Sequence, residues 1–292
     1  MPTAPPREIT IGGDLVVDRL GYGAMQLTGS RVWGEFPDRE AGIALLREVV
    51  DAGVTFLDTA DVYGPHTNEI LIHDALHPYP EGLVIATKGG FVRGGSDYAT
   101  LDAVGNRAYL RQSAHLSARR LGVEHLDLYY LHSGRATDVP FEDQVATLAE
   151  LREAGLIRHI GLSNVTLDQL RAAQGIVDIA AVTAHYNIGV RTGAALLEAA
   201  EEAGAVFSPW HPVRVDEGAA PARVAEVLGP IAREHGATVR QIALAWQLHR
   251  SPVTLPIPGT TDPGHFKENV AAQAIRLSPD EVRTCTEVVP EN

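Results

Sequence analysis

The sequence predicts a (β/α)8 barrel, in which eight parallel strands form a ring and a helix follows each strand. Short runs rich in β-branched and aliphatic residues alternate with longer segments whose apolar residues recur at the helical period. Eight such units fit into 292 residues, which favours a closed barrel over an open sheet. No change of composition marks a boundary, so residues 1–292 are expected to form a single domain.

The elements follow in chain order. Residues 9–17 hold two apolar runs around a Gly-Gly-Asp turn, a pattern typical of a β-hairpin, and this hairpin is expected to close the bottom of the barrel. The strands are predicted at 20–26, 54–59, 83–88, 126–132, 157–164, 180–187, 205–210 and 253–259. Helices are predicted at 39–53, 141–155 and 195–204, each ending in glycine, and at 167–174 after Thr166 as N-cap.

Composition and charge disfavour several functional classes. The net charge is −13 and no block of five basic residues occurs, so binding to nucleic acid or to an acidic membrane is not expected. No apolar run approaches the length of a membrane span, and the first ten residues lack the apolar segment of a signal peptide. The single cysteine, Cys285, fits a reducing cytoplasm. The sequence carries no indication of oligomeric state.

Polar residues end several of the predicted strands. In a barrel of this kind, functional residues lie at the carboxyl ends of the strands. Asp58 and Tyr63 follow the second strand, Lys88 ends the third, and His132 ends the fourth. Each alone has an ordinary structural explanation, as a loop cap, a lysine reaching solvent or a hydrogen-bonded histidine. Four of them on one face indicate a functional site.

The chemistry of the four residues is coherent. A phenol with a pKa of about 10 is a poor acid, and a neighbouring ammonium such as Lys88 is expected to lower that pKa. Asp58 would hold the ammonium in place, and His132 could hydrogen-bond a substrate oxygen and stabilise negative charge on it. These are the parts needed to protonate a carbonyl oxygen as a hydride arrives. Asp61, in the same stretch, is interpreted as a loop cap.

Four motifs, FLDTADVYG, IATKGG, LDLYYLH and IGLSN, resemble the aldo-keto reductase family in both content and order, over essentially the whole chain. The resemblance implies the (β/α)8 fold and NAD(P)H-dependent reduction of an aldehyde or ketone. It makes Asp58, Tyr63, Lys88 and His132 the catalytic residues, with Tyr63 as the acid in reduction and the base in oxidation. The cofactor residues it implies are Gly23, Ala24, Ser163, Asn164, Thr183, Phe207, Gly259, Thr260, His265, Glu268 and Asn269.

Some of these cofactor positions depart from the family pattern. Thr183 stands where the family usually has glutamine, and Phe207 matches the aromatic residue that stacks on the nicotinamide ring. Residues 256–269 resemble the segment that binds the cofactor phosphate, where family members often carry Lys or Arg. Here Asp262 and His265 occupy comparable positions and only Lys267 is near. NADPH is therefore expected from the family, and NADH is also compatible.

Apolar and aromatic residues are expected around the mouth of the barrel. The predicted substrate pocket comprises Met25, Trp33, Phe91 and Trp210, with Tyr98 close by, and a packing role is the alternative for each. Such a pocket suits a planar or hydrophobic carbonyl compound. The runs FSPWHP and MQLTGSRVWG resemble a subgroup of bacterial reductases that includes pyridoxal reductase-like proteins.

Two other functions remain open. Lys88 could serve as the nucleophile of a Schiff-base lyase, or the chain could be a regulatory subunit that binds the cofactor with little turnover. The stretch HDALH (73–77) has two histidines at a zinc-like spacing. It lacks the intervening glutamate and a third ligand, so no metal is predicted.

Overall fold

The computed structural model of the chain describes residues 5–218 and 220–289. Its strands are β1 (Glu8–Ile11), β2 (Leu15–Asp18), β3 (Tyr22–Gly23), β4 (Phe56–Asp58), β5 (Val84–Gly89), β6 (Phe91–Arg93), β7 (Leu101–Ala103), β8 (Leu126–Leu131), β9 (Ile157–Ser163), β10 (Ile179–His185) and β11 (Val206–Trp210). Its α-helices are α1 (Arg39–Asp51), α2 (Thr67–Leu76), α3 (Arg107–Leu121), α4 (Phe141–Glu153), α5 (Leu167–Gln174), α6 (Ala194–Ala203), α7 (Pro221–Glu234), α8 (Val239–Arg250), α9 (Pro263–Ala271) and α10 (Pro279–Thr286).

Seven strands form one parallel sheet in the order β3-β4-β5-β8-β9-β10-β11, and the segment 253–258 takes the eighth place. On one side of this segment, the N–H of Leu255 donates to the carbonyl of Phe207 over 2.8 Å. On the other side, the N–H of Gly21 donates to the carbonyl of Pro256 over 3.0 Å. Pro256 has no N–H to donate, so the ladder stays incomplete. The ring is nevertheless closed, and the predicted (β/α)8 barrel is confirmed.

Gly23 and Gly259 meet where the ring closes. A Cβ atom on Gly259 would lie 2.5 Å from the carbonyl oxygen of Gly23, and one on Gly23 would lie 2.8 Å from the carbonyl of Ile257. The backbones of the first and last strands can therefore approach this closely only because both residues lack a side chain.

The N-terminal hairpin closes the bottom of the barrel, as predicted. β1 and β2 pair in antiparallel register from Glu8↔Asp18 to Ile11↔Leu15. The inward side chains of the hairpin pack against the interior residues of the barrel, which include Phe56, Val84, Leu128 and Leu255. Asp14, in the turn of the hairpin, anchors the hairpin to β9, because Asp14 Oδ1 lies 2.6 Å from His159 Nε2. The other end of the barrel, where the strands have their carboxyl ends, is not covered by the hairpin.

The helices cover the outside of the ring, and all four predicted helices are present as α1, α4, α5 and α6. Gly53, Gly155 and Gly204 follow helix ends with positive φ, as their positions in the sequence predict. Thr166 caps α5 through a reciprocal capping box with Gln169. Within the described part of the chain, no helix is both long and apolar enough to cross a membrane.

The ranges predicted from the sequence do not include α2, α3 and α7–α10, nor one short hairpin. The short hairpin β6–β7 is inserted between β5 and α3, and its strands pair from Phe91↔Ala103 to Arg93↔Leu101. It stands at the carboxyl end of the barrel, where it extends the wall of the mouth.

Candidate active site

Asp58, Tyr63, Lys88 and His132 meet at the carboxyl ends of β4, β5 and β8, as predicted. Lys88 Nζ lies 2.5 Å from Asp58 Oδ1 and donates to the carbonyl of Thr59 over 2.8 Å. The same nitrogen lies 3.5 Å from the Tyr63 hydroxyl, and the ring of Tyr63 meets the His132 ring edge-on at a centroid distance of 6.0 Å. The structure therefore places an acid, an amine, a phenol and an imidazole in one cluster, in which Tyr63 is partly exposed and the other three are buried.

The Asp58–Lys88 pair keeps a positive charge inside the barrel. Both side chains are about 95% buried, since their exposed fractions are 5% and 4%. Burial lowers the pKa of Lys88, but the charge of Asp58 and the nearness of Tyr63 raise it more, so the net pKa lies above the usual value. Lys88 is thus an ammonium at neutral pH.

The phenol of Tyr63 has a pKa above its ordinary value. Burial raises the pKa, and the adjacent Lys88 ammonium lowers it again only in part. Lys88 thus lowers the pKa as expected, but desolvation of the phenolate outweighs the attraction of this one cation. Tyr63 is a protonated phenol at neutral pH and holds a proton that it can donate.

His132 is neutral in this environment. Burial takes its pKa well below the ordinary value, and the charges of Lys88 and Arg135 lower it further. Its Nδ1 atom is buried and has no hydrogen-bond partner among the described residues. The edge of the Phe91 ring packs against the imidazole at a centroid distance of 4.8 Å. A neutral imidazole can donate or accept one hydrogen bond with a ligand oxygen or hydroxyl.

A cavity of about 230 Å³ opens beside these residues. Its wall includes the predicted pocket residues Met25, Phe91 and Trp210, together with Tyr98. Trp33 does not line it: the Trp33 ring instead faces the Arg93 guanidinium at 5.4 Å, and its backbone bridges to Gly64. The other residues of the wall are Val32, Asp58, Val62, Tyr63, Lys88, Arg93, Leu101, His132, Ser163, Asn164, Thr183, His211 and Ile257.

Arg93 of the unpredicted hairpin organises one rim of this cavity. Its Nη1 atom donates to the carbonyls of Arg31 (3.0 Å) and Val32 (2.8 Å), and its guanidinium lies 4.7 Å from the centre of the Tyr98 ring. Arg31 and Val32 both have left-handed φ angles, 57° and 56°, which is unfavourable for a β-branched residue such as Val32. Arg93 thus holds a strained segment in place across the mouth.

Three of the predicted cofactor residues line the cavity. Ser163 and Thr183 are register partners on β9 and β10. Asn164 has a left-handed φ of 53°, and its side-chain amide donates to Ser163 Oγ over 3.0 Å. The indole N–H of Trp210 donates to Asn164 Oδ1 over 3.2 Å. A hydroxyl pair and an amide are therefore presented beside Tyr63 and Lys88.

Phe207 does not face the cavity. Its side chain is fully buried between the sheet and the helices, and its ring meets Tyr186 edge-on at 5.8 Å. Side chains alternate along a strand, so Val206 points into the barrel and Phe207 away from it. The aromatic residue of β11 that lines the cavity is Trp210, three positions later.

The remaining predicted cofactor residues lie outside the cavity wall. Ala24 is buried, and its carbonyl accepts from Asn68. The Gly259 carbonyl accepts from Gln26 over 3.1 Å, and the Thr260 carbonyl accepts from Tyr22 over 2.6 Å. Three others lie on α9, namely His265 and Glu268, which are exposed, and Asn269, which is 9% exposed.

The start of α9 is already occupied by a carboxylate. Asp262 Oδ1 accepts from the N–H groups of Gly264 (2.6 Å) and His265 (3.0 Å). These contacts lower the pKa of Asp262, so it is anionic at neutral pH. Lys267, the one cation in the segment, pairs with Glu48 at 3.1 Å. The segment therefore offers little positive charge to a second anion.

Asp61, interpreted from the sequence as a loop cap, is a buried carboxyl group. It is 3% exposed, and its Oδ2 accepts from Ser113 over 2.6 Å and from Tyr109 over 3.4 Å. Its Oδ1 is buried without a hydrogen-bond partner in the described structure. Burial raises the pKa of Asp61 from 3.8 to about 7. Its backbone N–H donates to the carbonyl of Lys88, so it braces the loop that carries Tyr63.

We expect Asp61→Asn to change the pH dependence of stability. The native pKa of about 7 lies above the ordinary 3.8, so between these pH values only the native state holds the proton. The unfolding free energy of the wild type therefore loses on the order of 4 kcal/mol between pH 4 and pH 7 through this group, and nothing further above. Urea denaturation across that range should show the variant gaining stability relative to the wild type as pH rises. Asp178→Asn, at a side chain 95% exposed, is the control and should show no such trend.

Comparisons with known proteins identify the family of this chain. The sequence model of the aldo/keto reductase family matches residues 19–290. The chain is 42% identical over 268 residues to an uncharacterized oxidoreductase of Schizosaccharomyces pombe, covering 92% of this chain and 85% of that protein. It is 40% identical over 277 residues to pyridoxine 4-dehydrogenase of Escherichia coli, covering 93% and 95%.

Solved structures share the fold. A thermostable aldo-keto reductase in complex with the inhibitor epalrestat superposes with a TM-score of 0.84 at 28% identity, over 97% of this chain and 99% of that one. An aldo-keto reductase of Klebsiella pneumoniae in complex with NADPH gives a TM-score of 0.77 at 24% identity, over 97% and 94%, a likeness that concerns the fold. The chain belongs to the aldo/keto reductase family.

Proposed function

We propose that this oxidoreductase reduces an aldehyde or ketone to an alcohol with NADPH, using Tyr63 as the proton donor. The observation that carries the proposal is the cluster itself. A protonated phenol lies 3.5 Å from a buried ammonium and beside a neutral imidazole, and all three line one cavity. Membership of the aldo/keto reductase family supports the same chemistry.

The cavity wall fits the nicotinamide end of the cofactor. Ser163, Asn164 and Thr183 offer hydroxyl and amide groups that can pair with a carboxamide, and Trp210 offers an aromatic face beside them. When bound there, the cofactor would supply the hydride. NADPH is proposed on the family's precedent. NADH is also compatible, because Asp262 caps the segment that resembles the phosphate-binding region and Lys267 is paired with Glu48.

Each of the four residues has its own proposed role in proton transfer. Tyr63 and His132 would donate hydrogen bonds to the carbonyl oxygen and orient it. As a hydride adds to the carbonyl carbon, that oxygen gains negative charge and takes the proton of Tyr63. The Lys88 ammonium would stabilise the phenolate left behind, and Asp58 would hold Lys88 in place. In the oxidative direction, the Tyr63 phenolate would act as the base.

The proposed substrate class is planar aromatic aldehydes, with pyridoxal as the first candidate. Phe91, Tyr98 and Trp210 line the cavity and provide flat apolar surface for an aromatic ring. The 40% identical relative is a pyridoxine 4-dehydrogenase, and oxidation of pyridoxine at that position gives pyridoxal.

The Schiff-base alternative is disfavoured by the state of Lys88. A lysine nucleophile must lose its proton, whereas the pKa of Lys88 is held above its usual value and its Nζ is bound to Asp58 and Thr59. The regulatory alternative is not distinguished by geometry, because a binding subunit could keep the same residues. Measured turnover distinguishes a reductase from a regulatory subunit.

A carbonyl panel tests the proposal. NADPH and NADH would each be titrated by fluorescence, and oxidation would then be followed at the nicotinamide absorbance with pyridoxal, other aromatic aldehydes and short aliphatic aldehydes. We expect saturable binding of NADPH and faster turnover of the aromatic aldehydes. Tight cofactor binding with negligible turnover across the panel would support the regulatory subunit. A substrate adduct trapped on Lys88 by borohydride would support the lyase.

Two expectations from the sequence remain predictions: that residues 1–292 act as a single domain, and that the protein is located in the cytoplasm. The oligomeric state can be measured on the same purified protein that is used for the carbonyl panel.

A further inference from the structure

Two histidines and a glutamate meet beside the cavity, apart from the four residues of the proposed mechanism. His185 ends β10, His211 directly follows β11, and Glu217 lies in the segment after it. His185 Nε2 lies 3.0 Å from Glu217 Oε2, and His211 Nδ1 lies 2.8 Å from Glu217 Oε1. One atom from each residue lies within 4.8 Å of the other two, so the three groups converge on one point.

The contact between His211 and Glu217 is not an ordinary hydrogen bond. His211 Nδ1 is buried, yet it has no hydrogen-bond partner of acceptable geometry despite its 2.8 Å distance from the carboxylate. A buried polar nitrogen left in this way is costly. A cation between the two groups would satisfy both, because the nitrogen lone pair and the carboxylate would point at the ion instead of at each other.

The ligand set selects the class of cation. Two imidazoles and one carboxylate are the ligands of zinc sites that keep a fourth position open, with bonds of about 2.0–2.2 Å. Calcium and magnesium prefer all-oxygen shells. The ligand atoms lie within 4.8 Å of one another. Tetrahedral bonds of about 2.1 Å place neighbouring ligand atoms roughly 3.4 Å apart, so the 2.8 Å and 3.0 Å contacts of Glu217 with the two imidazoles would open by about half an ångström around the ion.

Surrounding residues hold the three ligands in place. Asn187, fully buried, donates to Glu217 Oε2 over 3.1 Å and to the His211 carbonyl over 3.2 Å. The indole of Trp210 stacks on the His185 ring at 4.1 Å and 11°. His211 itself has a left-handed φ of 57°, a strained conformation that aims its ring at the cluster. Such outer support is typical of metal-binding sites.

We propose that His185, His211 and Glu217 form a binding site for a zinc-class divalent cation on the rim of the cavity. His211 lines that cavity and Trp210 both lines it and stacks on His185. An ion in this place therefore fixes two residues of the cavity wall. The site is independent of the proposed reduction, since its ligands take no part in that chemistry.

Titration of the metal-free full chain with Co²⁺ tests the site, because four-coordinate Co²⁺ absorbs visibly. We expect one Co²⁺ per chain with a four-coordinate spectrum, displaced by Zn²⁺. Co²⁺ should also quench part of the tryptophan fluorescence, and Trp210→Phe should remove that part. Glu217→Gln, His185→Gln and His211→Gln should each weaken binding by at least about 10-fold.

His73→Gln is the matched control. His73 and His77 form the histidine pair that the sequence picks out, with Asp74 at 3.0 Å from His73. This variant should bind Co²⁺ as the wild type does. The proposal is overturned if the wild type gives no four-coordinate spectrum, if the ligand variants that fold, as judged by circular dichroism, keep wild-type affinity, or if His73→Gln abolishes binding.

Discussion

Tyr63→Phe should lower the rate of carbonyl reduction by roughly 10²- to 10⁴-fold, the range over which a general acid contributes. Phenylalanine keeps the ring that packs against His132 but removes the hydroxyl that lies 3.5 Å from Lys88 Nζ and carries the transferable proton. The dissociation constant for NADPH should stay within about twofold, because the change leaves Ser163 and Asn164 untouched. Steady-state rates and fluorescence titration measure the two quantities.

Tyr98→Phe is the control for this change. Tyr98 also lines the cavity, but it is 52% exposed and stacked under Arg93 at the rim. Its loss should alter substrate KM without removing turnover. A Tyr63→Phe variant that reduced carbonyls at the normal rate would show that another group supplies the proton.

Lys88→Met should remove reduction and also destabilise the fold. The substitution leaves Asp58 buried without its cation, and breaking a buried pair in this way costs about 3–5 kcal/mol. Denaturant unfolding at neutral pH measures that loss, and NADPH oxidation measures the activity. The double variant Asp58→Asn/Lys88→Met should recover most of the stability and none of the activity, because the buried charge is gone but the phenolate still lacks its ammonium.

Lys267→Met controls for loss of a lysine as such. Its side chain is 71% exposed in the pair with Glu48, so its replacement should change stability by less than about 1 kcal/mol. An active Lys88→Met variant would contradict the role given to the ammonium. A double variant as unstable as Lys88→Met alone would contradict the explanation of the stability loss.

The catalytic candidates were predictable because their signal is local. Asp58, Lys88 and His132 each interrupt or end an apolar strand, and parallel strands bring such positions to one edge. Phe207 was predicted to stack on the nicotinamide ring, but it points away from the cavity, because a motif match does not say which face of the strand a side chain occupies. The net pKa of Tyr63 could not be predicted for a related reason: the sequence names the charged neighbour, but only the fold determines how completely the phenol is desolvated.

The histidine–glutamate cluster could not be predicted from the sequence. His185, His211 and Glu217 come from separate segments with no metal-binding spacing, so no sequence motif reveals them. The HDALH stretch has the spacing, yet His73 and His77 merely stack on each other at 4.7 Å and 19°. The hairpin β6–β7 was missed because each strand has only three residues, too few for a periodic pattern.

Transfer of deuterium from NADPH that carries deuterium at both C4 positions of the nicotinamide tests the central claim most directly. With pyridoxal or another accepted aldehyde, the product alcohol should carry one deuterium on the former carbonyl carbon, with one NADPH consumed per alcohol formed. Mass spectrometry of the product measures both. An unlabelled alcohol, or a substrate adduct on Lys88 in place of an alcohol, would contradict hydride transfer at this site.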